Sequence, residues 1–155
     1  MALNERTHKL LSKVMNYLSG KMMEIITDWN EENPDEKLPF IAETDIGFRD
    51  VVSGLRSYPA MCIAQTGRNT SEPYMTDYDL NVCIAVRGSD IDELQRMGYD
   101  LMDCLEDAMR ADHTLGGCAV DSAIQAPSCG VVSEVFIAAF ELEVRVNLGP
   151  FGGMQ

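Results

Sequence analysis

The sequence predicts an α+β fold: a small, mainly antiparallel four-stranded sheet carrying two principal helices, in the order α-β-β-α-β-β. Three observations predict it. Residues 4–30 repeat apolar side chains at three- and four-residue steps, the spacing of one helix face. Residues 89–111 do the same behind a capping signal. Residues 77–87 and 131–146 alternate apolar and polar side chains, as half-buried strands do. By length this is one domain, residues 1–148, with 149–155 expected to be a flexible C-terminal tail.

In the first helix Leu11, Val14, Met15, Leu18, Met22, Ile25, Ile26 and Trp29 form one apolar stripe. Asn4 is suited to cap its start. Gly20 weakens its middle by ~1 kcal/mol relative to Ala. Glu31-Glu32-Asn33-Pro34 stops it. The stripe reads as core, part of it available to a partner because Met packs adaptably. Residues 31–58 form a variable segment. Its start is an acidic loop, and beyond it Phe48, Val51, Val52 and Leu55 have helical spacing that Gly47 and Gly54 interrupt. Helix and strand both stay open there.

The sheet and second helix occupy residues 59–146. A short strand over 59–67 leads into a polar hairpin tip over 68–76. In the next strand Leu80, Val82, Ile84 and Val86 share one face. Asn81, Cys83, Ala85 and Arg87 share the other, expected to be half-exposed or covered by a neighbour. Ser89 or Asp90 caps the second helix, and Glu93 completes a capping box with Asp90. Ile91, Leu94, Met97, Leu101, Leu105 and Ala108 make its buried stripe. Leu101, Leu105, Val82, Ile84, Phe140 and Leu142 are expected to pack together. Gly116 and Gly117 turn the chain into a strand over 117–126, and Pro127-Ser-Cys-Gly130 turns it into the last strand.

Composition excludes several classes. There are 12 basic and 25 acidic residues, a net charge of −13, and no Lys/Arg cluster, so direct nucleic-acid binding is not expected. No apolar run is long enough to span a bilayer. The start of the chain has no signal-peptide core, which places the protein in a cytoplasm as an expectation. The five cysteines are odd in number and contain no C-x-x-C pair. They read as small buried hydrophobes, with a zinc site of unusual spacing as the alternative. His8 and His113 lack a nucleophile at recognisable spacing, and there is no P-loop or dinucleotide fingerprint. The acidic clusters, Asp100 with Asp103, Glu106 and Asp107, and Glu141 with Glu143, read as solvated faces. No catalytic, cofactor-binding or metal-ligating residue is assigned, and the chain is not expected to be an enzyme.

The run Leu105-Glu-Asp-Ala-Met-Arg-Ala-Asp-His-Thr-Leu-Gly-Gly117, followed by an alternating strand, a turn and Ala138-Ala-Phe-Glu-Leu-Glu-Val-Arg-Val146, resembles a known family. It is similar to the tail-completion, or tail-terminator, proteins of long-tailed bacteriophages and prophages, over roughly residues 59–146. The resemblance implies a structural virion protein. Such a protein forms a ring, usually of six subunits, that caps the tail tube and joins tail to head. Its partners are then itself, the tail tube protein and the head–tail connector, with DNA passing through without being bound. It implies no cofactor and no membrane, and a place in the virion tail or neck after assembly in the host cytoplasm. On that reading Arg68, Asn69, Glu72, Tyr74 and Met75 are the expected oligomer interface, since the hairpin tip carries residue types enriched where proteins meet. Asp103, Glu106 and Asp107 are expected to face the lumen. A different head–tail connector or neck stopper, or a small α+β enzyme or ligand-binding domain, are the alternatives.

Overall fold

Two antiparallel strands of thirteen residues form the centre of the molecule, and everything else is placed by them. The computed structural model describes residues 3–72 and 74–147, the side chains of 3–5, 71 and 72 excepted. The elements are α1 (Leu3–Glu32), β1 (Glu43–Ile46), β2 (Ala60–Glu72), β3 (Met75–Arg87), α2 (Ile91–Arg110), β4 (Asp121–Ile124), β5 (Ser128–Val132) and β6 (Val135–Asn147). β3 and β6 pair without interruption from Met75↔Asn147 to Arg87↔Val135. The sheet order is β1-β2-β3-β6-β4, with β5 also on β6, and only β1–β2 is parallel.

The class is α+β and mainly antiparallel, but the sheet has six strands where four were expected. One extra strand is β1, which lies in the variable segment; four residues between glycine-interrupted flanks carry too short a pattern to be recognised. The other comes from the hairpin turn, which is not at Pro127–Gly130. That stretch is β5, and the chain reverses at Ser133 and Glu134, whose φ values of 48° and 64° are both positive. Two positive φ values in succession belong to a two-residue type I′ hairpin loop, normally marked by Asn-Gly or Asp-Gly. Ser-Glu gives no such signal. β4 pairs as Asp121↔Arg145 to Ile124↔Leu142, and β5 as Ser128↔Ala139 to Val132↔Val135. Four steps on one side match three on the other between Ile124 and Ser128, so β4 and β5 are one edge strand interrupted by a bulge. Pro127, which has no N–H to give a ladder, lies in the bulge.

The 68–76 tip is also corrected. β2 continues to Glu72, with Arg68↔Tyr78, Asn69↔Asp77 and Glu72↔Met75 in register and two irregularities on the way. A twisted hairpin whose polar residues pair across two strands reads as a loop in one dimension.

Pleating sends Met61, Ile63, Tyr78, Leu80, Val82, Ile84, Val86 and the Phe136–Val146 alternate set to one face, against Leu10, Val14, Leu18, Met22 and Ile26 of α1 and Leu94, Leu101, Leu105 and Ala108 of α2. Leu101, Leu105, Val82, Ile84, Phe140 and Leu142 all belong to this one core. Asp90 is the N-cap of α2, its carboxylate accepting from the N–H groups of Asp92 and Glu93. Glu93 is drawn to Arg96 instead of closing the box. Ile91, expected in the buried stripe, is 51% exposed, because the first helical turn overhangs the sheet. α1 begins at Leu3, so Asn4 lies inside it and not before it. The 149–155 tail lies outside the described residues.

Among the described residues, no helix covers the other face of the sheet. Over its β2–β3 half the 47–52 stretch folds back, with Tyr58 OH donating to Val51 O at 2.9 Å and Arg87 Nη2 to Val52 O at 2.7 Å. It leaves a cleft of about 70 Å³ lined partly by Cys62, Ala64, Asn81 and Cys83. The chain itself therefore half-covers that face. No helix of the described residues is long and apolar enough to cross a membrane.

Candidate functional site

The turn that carries the resemblance closes on itself. Asp112 accepts from Thr114 N at 2.9 Å, Thr114 Oγ1 at 2.7 Å and Gly116 N at 3.1 Å, and Thr114 Oγ1 accepts from Gly117 N at 3.2 Å. Donation from the Thr114 hydroxyl, then from the two backbone N–H groups, holds the Asp112 carboxyl below its usual range. Leu115, at φ 51°, buries its side chain, while Gly116 (φ 76°) and Gly117 (φ 90°) take conformations that suit glycine. A Cβ on Gly116 would lie 2.8 Å from the ring of Tyr17. That ring reaches across from α1 to donate from its hydroxyl to Ala108 O at 3.2 Å. His113 pairs with Asp121 of β4 at 3.1 Å, and Ser122 Oγ donates to His113 O at 2.7 Å. Asp112 and Thr114 fix the turn itself, Tyr17 joins α1 to the end of α2, and His113 and Ser122 fasten the turn to β4.

The expected interface residues are dispersed by the corrected hairpin. Arg68 Nη2 donates to Thr7 Oγ1 at 2.6 Å and to Gln65 Oε1 at 3.2 Å, and its guanidinium covers the Tyr78 ring at 4.8 Å. It fastens β2 to the start of α1. Met75 is half-buried in the ladder, the Glu72 side chain lies outside the described residues, and Asn69 and Tyr74 are exposed, Tyr74 by 52%. Asp103 and Asp107 are exposed on the outer side of α2, and Glu106 accepts from Arg110 Nε at 3.1 Å. Desolvation, with Asp100, Glu106 and Asp107 nearby, raises the Asp103 carboxyl.

Two groupings escape the sequence pattern. Glu43 and Asp45, two apart on β1, line a hollow of about 450 Å³ with Arg49 and Arg56. The interaction between their carboxyls lowers Glu43 and raises Asp45, with burial adding to the rise, and Asp45 Oδ2 is buried without a hydrogen-bond partner among the described residues. Glu43 also accepts from Arg56 N and Ser57 N, both at 3.0 Å, so it fixes the end of the covering stretch. Glu-x-Asp on a strand face was the available signal, hidden because β1 was not recognised.

The second grouping is on the uncovered half of the open face. Thr66, Asp79, Ala123, Gln125, Glu141 and Glu143 line a groove of about 400 Å³. Asp79 and Glu143 are direct cross-strand partners, a like-charged pairing that costs stability. One row away the sheet solves the same problem: Arg145 Nε donates to Asp77 Oδ1 at 2.8 Å and Nη2 to Oδ2 at 3.2 Å. Asp79, Glu141 and Glu143 make no ion pair among the described residues. The alternation of Glu141 and Glu143 was visible in sequence, but Asp79 joins them only through strand pairing. Among the described residues no group of three or more His, Cys, Asp and Glu is arranged to hold a metal ion.

No protein-family model matches the chain, and a search of curated proteins finds no match.

Proposed function

We propose that the chain is a structural protein of a long-tailed phage or prophage, a tail terminator that closes into a ring of six on the tail tube and joins it to the head connector. The observation that carries this reading is the turn at residues 112–117, whose sequence resembles that of tail-terminator proteins. Its carboxylate and hydroxyl are spent on fixing the turn itself, and His113 and Ser122 fasten it to β4. A reaction centre would keep a base or nucleophile free; an assembly part needs a rigid body with surfaces left over. The strongly acidic chain suits a channel wall along which DNA slides without sticking. On this reading the protein acts at the head-proximal end of the virion tail after assembly in the host cytoplasm, without catalytic activity or a cofactor.

The test is co-expression with a tail tube protein from the same genome, followed by electron microscopy. Tubes of limited length with ring density at one end are expected. Tubes that grow without limit, bare at both ends, sink the reading. Rings that bind the connector and leave the tube untouched move the protein to the neck.

A further inference from the structure

The charge along α1 is unevenly divided. From Arg6 to Met23 there is no acidic residue, while Arg6, Lys9, Lys13 and Lys21 are basic. Glu24, Asp28, Glu31 and Glu32 then follow, and the last turn has no basic residue. A helix dipole acts within the first and last turns; Glu5 in the first turn suits it, and the acidic last turn does not. Lys9 and Lys13 are exposed on the stripe that continues through Asn16, Gly20 and Met23 on the outer side of α1. They make no ion pair among the described residues. Lys21, by contrast, pairs with Glu24 at 3.6 Å.

The uncovered half of the sheet has the complementary deficit: a groove, unpaired Asp79, Glu141 and Glu143, and a like-charged cross-strand pair. α1 lies on one side of the sheet and the groove on the other, so one subunit cannot bring the two together. We propose that the open sheet face of one copy is the docking site for α1 of a second copy, with Lys9 and Lys13 set against Glu141, Glu143 and Asp79. The contact is heterologous, the type that closes into a ring when the rotation allows. It rests on the ring reading for that closure. The charge pattern also selects the helix. α2 presents Asp103 and Asp107 outward, and the same groove repels it, so the wrong helix is excluded by charge as the right one is attracted.

The test uses charge reversal in the full chain. Lys9 and Lys13 are exposed, and Glu141→Lys with Glu143→Lys relieves the repulsion by Asp79, so neither pair threatens the fold. By sedimentation velocity, each double variant should self-associate at least about tenfold more weakly than the unaltered chain. Mixing the two double variants should restore assembly, since each then offers the surface the other lacks. Zero-length carbodiimide cross-linking of a mixture of isotope-labelled and unlabelled chains should join Lys9 or Lys13 of one copy to Glu141 or Glu143 of another. Unaltered rings with no change in either double variant overturn this contact and leave the terminator reading standing. Loss of assembly in the lysine variant alone points to α1 against α1 and equally overturns it. An unaltered chain that stays monomeric overturns it too, while tube capping, measured separately, still decides the terminator reading.

Discussion

Gly98 lies where α2 crosses β6, and Gly98→Ala tests how closely the helical layer is seated on the sheet. A Cβ built there falls 2.3 Å from Cγ of Phe136 and 2.4 and 2.7 Å from its two Cδ atoms. The Phe136 ring has little room to yield: it is 1% exposed and is met edge-on by Tyr99, ring centroids 5.2 Å apart. Two effects compete. Alanine gains ~1 kcal/mol of helix propensity over glycine. Against it, an added methyl in a packed core typically costs ~1–3 kcal/mol, and this approach is close enough to put the cost at the upper end. A net loss of about 1–2 kcal/mol is therefore expected from urea unfolding followed by circular dichroism. The decisive variant is Gly98→Ala combined with Phe136→Leu, which shortens the obstructing ring. The double variant should be more stable than the two single losses predict, by roughly 0.5–3 kcal/mol of coupling. A stabilising Gly98→Ala, or strict additivity with Phe136→Leu, would refute the idea that this glycine exists for close approach.

Gly20 is the opposite case: it is exposed, in mid-helix, and a Cβ there meets nothing within 4 Å, so Gly20→Ala should raise monomer stability by ~0.5–1 kcal/mol in the same unfolding assay. Asp112 titrates below its usual range when folded, so its contribution is present above the unfolded value of about 3.9 and is lost as pH falls through the lower folded value. Asp112→Asn should accordingly lower the melting temperature at neutral pH and flatten its dependence on pH below about pH 4. Burial pushes the thiols of Cys62 and Cys104 up to about 12, while Cys129 is exposed on β5. Alkylation at mildly alkaline pH followed by mass spectrometry should modify Cys129 first and Cys62 and Cys104 only on unfolding; early labelling of Cys104 would mean that α2 detaches readily.

Periodicity made the helical layer legible. Val14, Leu18, Met22, Leu94, Leu101 and Leu105 repeat at helix spacing and all enter the core, because a helix buries a face that its own sequence defines locally. The long strand β6 was equally plain, since Phe136 to Val146 alternate and strand pleating leaves no other way to bury them together. What the sequence by itself could not determine depends on residues far apart along it. Ser133 and Glu134 adopt positive φ without the usual turn residues, so the hairpin was misplaced by several positions and β5 with it. β1 exists only because it pairs with β2, through Glu43↔Ala60 to Ile46↔Ile63. The candidate docking groove is decided the same way: Asp79 and Glu143 lie 64 positions apart in the chain and meet because β3 and β6 share a register. A one-residue slip of either strand would turn its carboxylate to the buried face and part the two, so that face and its charge are set by tertiary pairing and not by local pattern.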